Sequence, residues 1–368
     1  MARDALLVQS VEKALRVLQA FDGGTRFLGL TEIAARCGVD KSAAQRFAHT
    51  LHLAGYLEKC PETRRYGLGK RLLEVTYNYL RSNPLIEAAT PALIELRRFT
   101  GQHIKLSLFD DTSVIYAIRQ QSEREYFAAS LVGRRVPTFC TAGGRAILAE
   151  LEPARAAEKL EQVLRRNLQS LHLQLAEVAR HPAYRRLLRI NSGLLPVYTH
   201  AIGLPLYREP AIRALVESAL DHAGRKAREA GIRIGLHPDQ FCVLNSANPA
   251  TLKNSVDELE YHADILRMMG LTGGWHPQGA HVNIHGGGRA EGIAGFRRGL
   301  ALLSEYARGL VTVENDEMSY GLDDLLPLAD AVPIILDLHH HWVKSEGEYI
   351  RADDPRIETI RRWFVGRR

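Results

Sequence analysis

In the second half of the chain, short apolar runs each lead to a side chain of a type that binds metal ions. RINSGLLPVYTH leads to His200, GIRIGLH to His237, AHVNIH to His285, VTVE to Glu314 and PIILD to Asp337, with His340 three residues further on. Imidazole nitrogen combined with carboxylate oxygen suits Mn, Zn or Fe(II) better than Mg or Ca. Closely spaced ions would neutralise a phosphate and lower the pKa of a bound water, giving hydroxide for in-line attack. In outline this is a hydrolytic phosphodiester site, with His237, Glu314 and His340 as the catalytic candidates. The same ligands also suit a one-metal isomerase. On their own, His339, His340 and His341 would read as a surface tract, and His222, His262 and His276 as exposed helix or loop histidines.

Such residues converge only if the elements under them are ordered. From Asn167 on, helical and strand patterns alternate. Helix 167–180 precedes a strand at 188–190, helix 210–230 one at 232–236, and helix 250–269 one at 280–284. Helix 291–308 then precedes a strand at 310–313, and helix 321–330 one at 333–336. Apolar strands that alternate with helices predict a parallel sheet. A (β/α) barrel carries its chemistry at the carboxyl ends of such strands.

The first part of the chain reads differently. SVEKALRVLQAF puts Val11, Leu15, Leu18 and Phe21 on one helical face. In LTEIAARCGVDKSAAQRFAHTLHLAGYL, Thr31 is the expected cap of a helix over 32–37, and Gly38 ends it. Asp40 or Ser42 caps a second helix reaching about Leu53, which Gly55 stops. Helix, glycine turn, helix is the DNA-reading arrangement whose second helix enters the major groove. Lys41, Ser42, Gln45 and Arg46 open that helix. YLEKCPETRRYGLG then predicts a β-hairpin wing turning at Pro61–Thr63 and carrying Arg64 and Arg65. Residues 1–70 hold eleven Lys/Arg against seven Asp/Glu.

Composition sets the outer bounds. A chain of 368 residues has room for two or three domains. Net charge is +6 and the isoelectric point about 9.1, which fits either a polyanion partner or an unspecialised basic surface. Cys37, Cys60, Cys140 and Cys242 form no CxxC pair, so a reducing cytoplasm is expected rather than a disulfide framework. MARDALLVQS lacks an apolar stretch long enough for a signal peptide, and no run approaches a membrane span. Between about 152 and 167 the chain is rich in Ala, Leu and Arg, helical by propensity, and without a linker of Gly, Ser or Pro.

At these residues the chain resembles two families. Residues 8 to about 160 resemble the IclR family of bacterial transcription regulators. The winged helix, LIEAATPALIELRRFTGQHIKLSLFDDTSVIYAIRQQ and VGRRVPTFCTAGGRAILAEL carry that resemblance, with the family's signature matched at Pro137 to Ala149. Residues 167–368 look like the UV damage endonucleases, relatives of the endonuclease IV barrel. Here the motifs are RINSGLLPVYTH, GLHPDQFCVLNSANP, NSVDELEYHADILRMMG, VNIHGGG, VENDE and ILDLHHH. The second resemblance implies His200, His237, His285, Glu314, Asp337 and His340 as metal ligands. It also implies Gln240 and Phe241 as the pair that probes damaged bases, where an aromatic wedge would meet weakened stacking.

The expected chain is therefore α/β with three domains. A winged helix-turn-helix covers 8–70, and a linker helix with a partial α+β effector domain covers 71–160. An incomplete TIM-type (β/α) barrel covers 167–368. Relative to the family, a first strand with a Cys-x-Asn element before 167 is expected to be absent. So are a later strand with Lys-x-His and a last strand with a Glu ligand, which leaves about six of eight strands and impaired incision. Double-stranded DNA, UV-damaged or intact, is the expected partner. Mn or Zn is the expected cofactor, self-association through the IclR-like part is expected, and no membrane is. A DNA-nicking enzyme, a transcription regulator with a chemically inert tail, and a recombined reading frame all remain open.

Overall fold

The computed structural model describes residues 6–22, 24–122, 132–271 and 279–365, with side chains described as far as 362. Two compact units emerge: Met1–Leu106 with Tyr116–Gly133, and Ser107–Ile115 with Arg134–Arg368.

The first unit opens with helices α1 (Gln9–Gln19), α2 (Leu30–Cys37) and α3 (Lys41–Leu53). Strands β1 (Leu57–Lys59) and β2 (Tyr66–Leu68) follow as an antiparallel hairpin, with Leu57 opposite Leu68. Gly38 ends α2 at φ 65°, a left-handed conformation that favours glycine, and so turns the chain into α3. Asp40 caps α3, accepting from the Ala43 amide at 2.8 Å. The cap of α2 is Gly29 rather than Thr31. The Glu32 carboxylate accepts from the Gly29 amide at 2.7 Å, so the helix starts with Leu30 and takes Thr31 into its first turn.

The core here is Val17, Leu28, Ile33, Ala44, Ala48, Leu57 and Tyr66. Leu18 and Phe21 pack against it. Val11 and Leu15 do not belong to it and are more than half exposed, because α1 is anchored through its other face at Val17 and Ala20. Next come α4 (Arg71–Ser82), which buries no residue, and α5 (Pro84–Thr100). Strands β3 (Ile104–Asp110) and β4 (Ser113–Gln120) carry the chain between the two units.

In the second unit, β5 (Arg135–Pro137) lies antiparallel to the start of β4, with Val114 opposite Val136. Helix α6 (Ala142–Glu150) leads to α7 (Pro153–Val178), one uninterrupted helix of 26 residues. The helix expected at 167–180 is only its second half. Its buried residues Ala156, Leu160, Val163, Leu164, Leu168, Leu171 and Leu175 recur every three or four positions and form one apolar stripe. They share a single core with Phe139, Leu148 and the sheet that follows.

That sheet is built from β6 (Leu187–Ile190), α8 (Leu204–Arg208), α9 (Pro210–Glu229), β7 (Arg233–Leu236), α10 (Pro249–Met268) and β8 (His281–His285). It continues through α11 (Gly292–Ala301), α12 (Glu305–Arg308), β9 (Val311–Glu314), α13 (Leu322–Leu325) and β10 (Ile334–Ile335), then α14 (Leu338–Lys344) and α15 (Pro355–Val365). The strands are parallel in the order β10-β9-β8-β7-β6, so five rather than about six form the partial TIM-type barrel among the described residues. The helix expected at 291–308 breaks in two, because the Ser304 hydroxyl caps a new start by accepting from Ala307.

The sheet's two faces differ. Leu188, Ile190, Ile234, Leu236, Val282, Ile284, Val313 and Ile334 are buried in the apolar core. In register on the other face stand Arg189, Gly235 and His281, then Asn283 beside Thr312, then His285 beside Glu314. Alternation thus gives the strands an apolar back and a polar front.

Candidate metal centre and DNA-reading helix

Three neighbouring strands bring their carboxyl ends to one point. His285 and Glu314 close β8 and β9 directly opposite each other, and His237 follows β7 by one residue. Glu314 Oε1 lies 2.9 Å from His237 Nε2 and 3.5 Å from His285 Nε2. The ligand atoms of these three residues all fall within 4.8 Å of one another. The imidazole rings are 5.0 Å apart, and Glu314 is 7% exposed. Two imidazole nitrogens and one carboxylate oxygen so close together are a donor set of the type that suits a divalent transition metal. The Nδ1 atoms of both rings are buried without a hydrogen-bond partner, and each ring makes its polar contact to Glu314 through Nε2.

The other three implied ligands stand further out. Asp337 follows β10 and caps α14, its Oδ1 accepting from the amides of His339 at 2.8 Å and His340 at 2.9 Å. Its backbone is paired with the Asn315 side chain. His340, on α14, meets the Glu317 carboxylate through Nδ1 and lies 3.9 Å from Asp337 through Nε2. Its ring is 6.1 Å from that of His285. His200 does not end a strand: β6 stops at Ile190, and His200 sits exposed in a turn, accepting from the Ile202 amide.

Two cavities meet at His237. One, of about 480 Å³, is lined by His237, His285, Glu314, Asp337 and His340, with Gln240 and Phe241 at its rim. Phe241 is 78% exposed on the loop after β7. The other, of about 930 Å³, is lined by His200, Arg189, Asp239 and Glu258 and also by Phe139, Cys140 and Arg145 from the segment around α6. Burial raises the Glu258 carboxyl above its ordinary range, against a hydrogen bond from Thr199.

Several supporting residues had no sequence signal as partners. Asn283 donates through Nδ2 to Glu314 Oε2, and its Oδ1 accepts from the Thr312 hydroxyl at 2.8 Å. Asn245 donates to the carbonyls of Gly286 and Gly288 and so pins the loop after His285. Gly287 in that loop has φ 82°, and a Cβ there would fall 2.2 Å from Asn245 Oδ1. Asp316 accepts from the amides of Met318, Ser319 and Tyr320, folding the loop after β9 into a tight turn.

Two of the three incidental histidines lie among the described residues. His262 is not exposed: it is fully buried on α10, its Nδ1 on the Glu258 carbonyl at 2.6 Å, and burial pushes its pKa down to about 4. The helix turns that face into the core between Tyr261 and Ile265. His222 is exposed, and His276 lies outside the described residues.

In the first unit, Lys41, Ser42, Gln45 and Arg46 are all exposed on α3, and His49 extends the same face. The two wing arginines differ. Arg64, at φ 56°, is exposed. Arg65 turns inward to the Glu32 carboxylate at 2.6 Å and the Phe27 carbonyl at 3.1 Å.

The family model for UV-endonuclease UvdE matches residues 130–364. The chain belongs to the UvdE family. Models for the IclR helix-turn-helix domain and the bacterial transcriptional regulator IclR C-terminal region match residues 10–61 and 77–172. The IclR and UvdE matches thus overlap along β5, α6 and most of α7. A UV DNA damage endonuclease of Halalkalibacterium halodurans is 32% identical over 54% of this chain and 60% of its own length. One of Deinococcus radiodurans is 30% identical over 58% of this chain and 67% of its own. The HTH-type transcriptional regulator XynR of Escherichia coli is 34% identical over 42% of this chain and 62% of its own. The chain spans between about a quarter and two thirds of the length of the curated relatives it matches. The crystal structure of SacUVDE aligns with 59% of this chain and 70% of its own, at 24% identity and a TM-score of 0.49.

Proposed function

We propose that this UvdE-family chain is a DNA-binding composite whose barrel unit cleaves phosphodiester bonds in damaged DNA, slowly, with Mn or Zn. The observation that carries this reading is the convergence of His237, His285 and Glu314 on one point beside a cavity rimmed by Phe241. A bound divalent cation would supply Lewis-acid stabilisation of a phosphate and an acidic water. His237, His285 and Glu314 would hold it, with Asp337 and His340 close by and His200 at the further cavity. Gln240 and Phe241 stand where a base freed from its stack could be met. Attack with departure of the leaving oxygen is fastest between two ions, and the tight cluster offers ligands for one, which is the reason to expect slow turnover.

In the same reading, α3 presents Lys41, Ser42, Gln45 and Arg46 to duplex DNA, and Arg64 meets a phosphate. The exposed apolar residues of α1 and α4, among them Val11, Leu15, Leu73 and Val75, are suited to self-association. The four free cysteines accord with a cytoplasmic setting. No helix among the described residues is long and apolar enough to cross a membrane.

The test is nicking of UV-irradiated plasmid in Mn(II), beside unirradiated plasmid. Weak, lesion-dependent nicking that disappears in Glu314→Gln is expected. No nicking at any Mn(II) or Zn(II) concentration, with intact gel-shift binding to undamaged duplex, would leave the second reading. In that reading the chain is an IclR-type transcription regulator with an inert barrel, which the exposed face of α3 favours.

A further inference from the structure

The two cavities share His237 and Arg189. A molecule lying in both would pass the metal donors in its middle rather than at its end. At about 480 and 930 Å³, each cavity is large enough for a nucleotide-sized group. One small ligand needs only one of them, whereas a strand fits both. On the larger cavity, Arg189 stands on β6 and Arg145 on α6. Among the described residues, neither guanidinium has an ion pair or a hydrogen bond. Arg289, Arg297, Arg298 and Arg356, elsewhere in the same unit, each hold a carboxylate. A guanidinium left unneutralised on a cavity wall can take a phosphate through two parallel N–H bonds. Of the two carboxylates there, Glu258 is bonded by Thr199 and held toward its neutral form by burial, which leaves Asp239, exposed on the loop after β7, against two arginines.

The α6 wall is fixed in place. Thr141 caps α6, its hydroxyl accepting from the Gly144 amide at 3.0 Å. A Cβ on Gly144 would fall 2.0 Å from the Thr138 carbonyl oxygen, so the helix start sits directly on the turn before it. Phe139 and Leu148, on either side of Arg145 in the chain, belong to the core under the sheet. We infer that the larger cavity seats the DNA strand as it leaves the metal centre, with Arg189 and Arg145 each taking a backbone phosphate. The regulator-like signature around α6 is then one wall of the barrel unit's DNA groove. This rests on the proposed reading of that unit as one that cleaves DNA.

Cys140 is exposed on the same wall and supplies a local readout. The experiment is alkylation of Cys140 in the full chain, followed by peptide mass spectrometry across a titration with UV-irradiated duplex, in EDTA and again in Mn(II). Each protein is compared with its own DNA-free rate. Protection is expected, and it should persist in Arg46→Ala. Arg145→Gln and Arg189→Gln should each raise the DNA concentration for half-protection on the order of tenfold. Each should also lower the dependence of its logarithm on log salt by about 0.7–0.9, which a merely structural role would not move. Arg145→Lys should restore the salt dependence. Cys140 that stays reactive in saturating duplex, protection that neither glutamine variant weakens, or equal protection by inorganic phosphate would overturn the inference. Lesion-dependent nicking beside an unprotected Cys140 would overturn the inference and leave the catalytic reading standing. Protection weakened by both variants, in a chain that never nicks, would support the inference and overturn the catalytic reading.

Discussion

At the scale of single residues, the centre depends on three side chains from three strands. The double change His237→Ala, Glu314→Ala should abolish stabilisation by Mn(II) or Zn(II). A ligand at 100 times its Kd adds about 2.7 kcal/mol to folding, so the unchanged chain should show a metal-dependent rise in melting temperature that the double variant lacks. His262 makes a separate, pH-dependent contribution. Its folded pKa of about 4 lies below the unfolded value near 6.5. As pH falls through that window, the unfolded chain takes up a proton that the folded chain refuses, so stability declines. The loss between pH 7.5 and 5 should be about 2 kcal/mol from this residue, and levels off below about pH 4. Urea unfolding at the two pH values checks it: His262→Gln should show a flatter dependence. His281, pushed down to about 4 by burial and by Arg233 and Arg189, adds in the same direction in both proteins. Counting strand ends picked out His237, His285 and Glu314, and the fold brings their side chains together. Asn283, Thr312 and Asn245 were invisible, since each acts through a partner at least 29 residues away.

At the scale of elements, α3 and the wing would divide the work of binding DNA. Gly38 and Asp40 are local signals, read from a few neighbouring residues: Gly38 ends α2 as expected, and Asp40, rather than the alternative Ser42, caps α3. Arg46→Ala should cost about 1–3 kcal/mol of DNA affinity if it reaches a base edge, measured by gel shift on a selected operator. Arg64→Ala should weaken all duplexes alike and lower the slope of log affinity against log salt by about 0.9. Arg65→Ala should behave differently, because its guanidinium is tied to Glu32 and Phe27. A small loss of folding stability, with the salt slope unchanged, is expected there. Sequence could not separate the two arginines, since the turn that sends one outward and the other inward depends on Arg64 adopting a positive φ. Nor could it tell that Val11 and Leu15 stay exposed, since an amphipathic pattern does not say what covers it.

At the scale of the whole chain, the second unit is larger than its barrel motifs. Phe139 belongs to the same core as the sheet and touches Gly193, where an added Cβ would lie 3.0 Å from its ring. Phe139→Ala should therefore destabilise the metal-binding unit by about 3–5 kcal/mol. The readout is the metal-sensitive melting transition. If Phe139 served a separately folding effector domain, that transition would not move. Alternating helix and strand patterns made the parallel sheet legible. The packing of a regulator-like signature against it was not, because 54 residues separate Phe139 from Gly193 in the chain.

Helix α7 carries one phase from end to end. Each residue advances about 100° around the axis. A single amino acid inserted near Leu164 would thus rotate Leu168, Leu171 and Leu175 out of line with Ala156 and Leu160. Seven inserted residues, nearly two whole turns, would bring them back to within about 20°. Tolerance to insertion along this helix should accordingly rise and fall with the helical repeat rather than decline with length. A frame-preserving change in the gene can still be a frameshift in the fold.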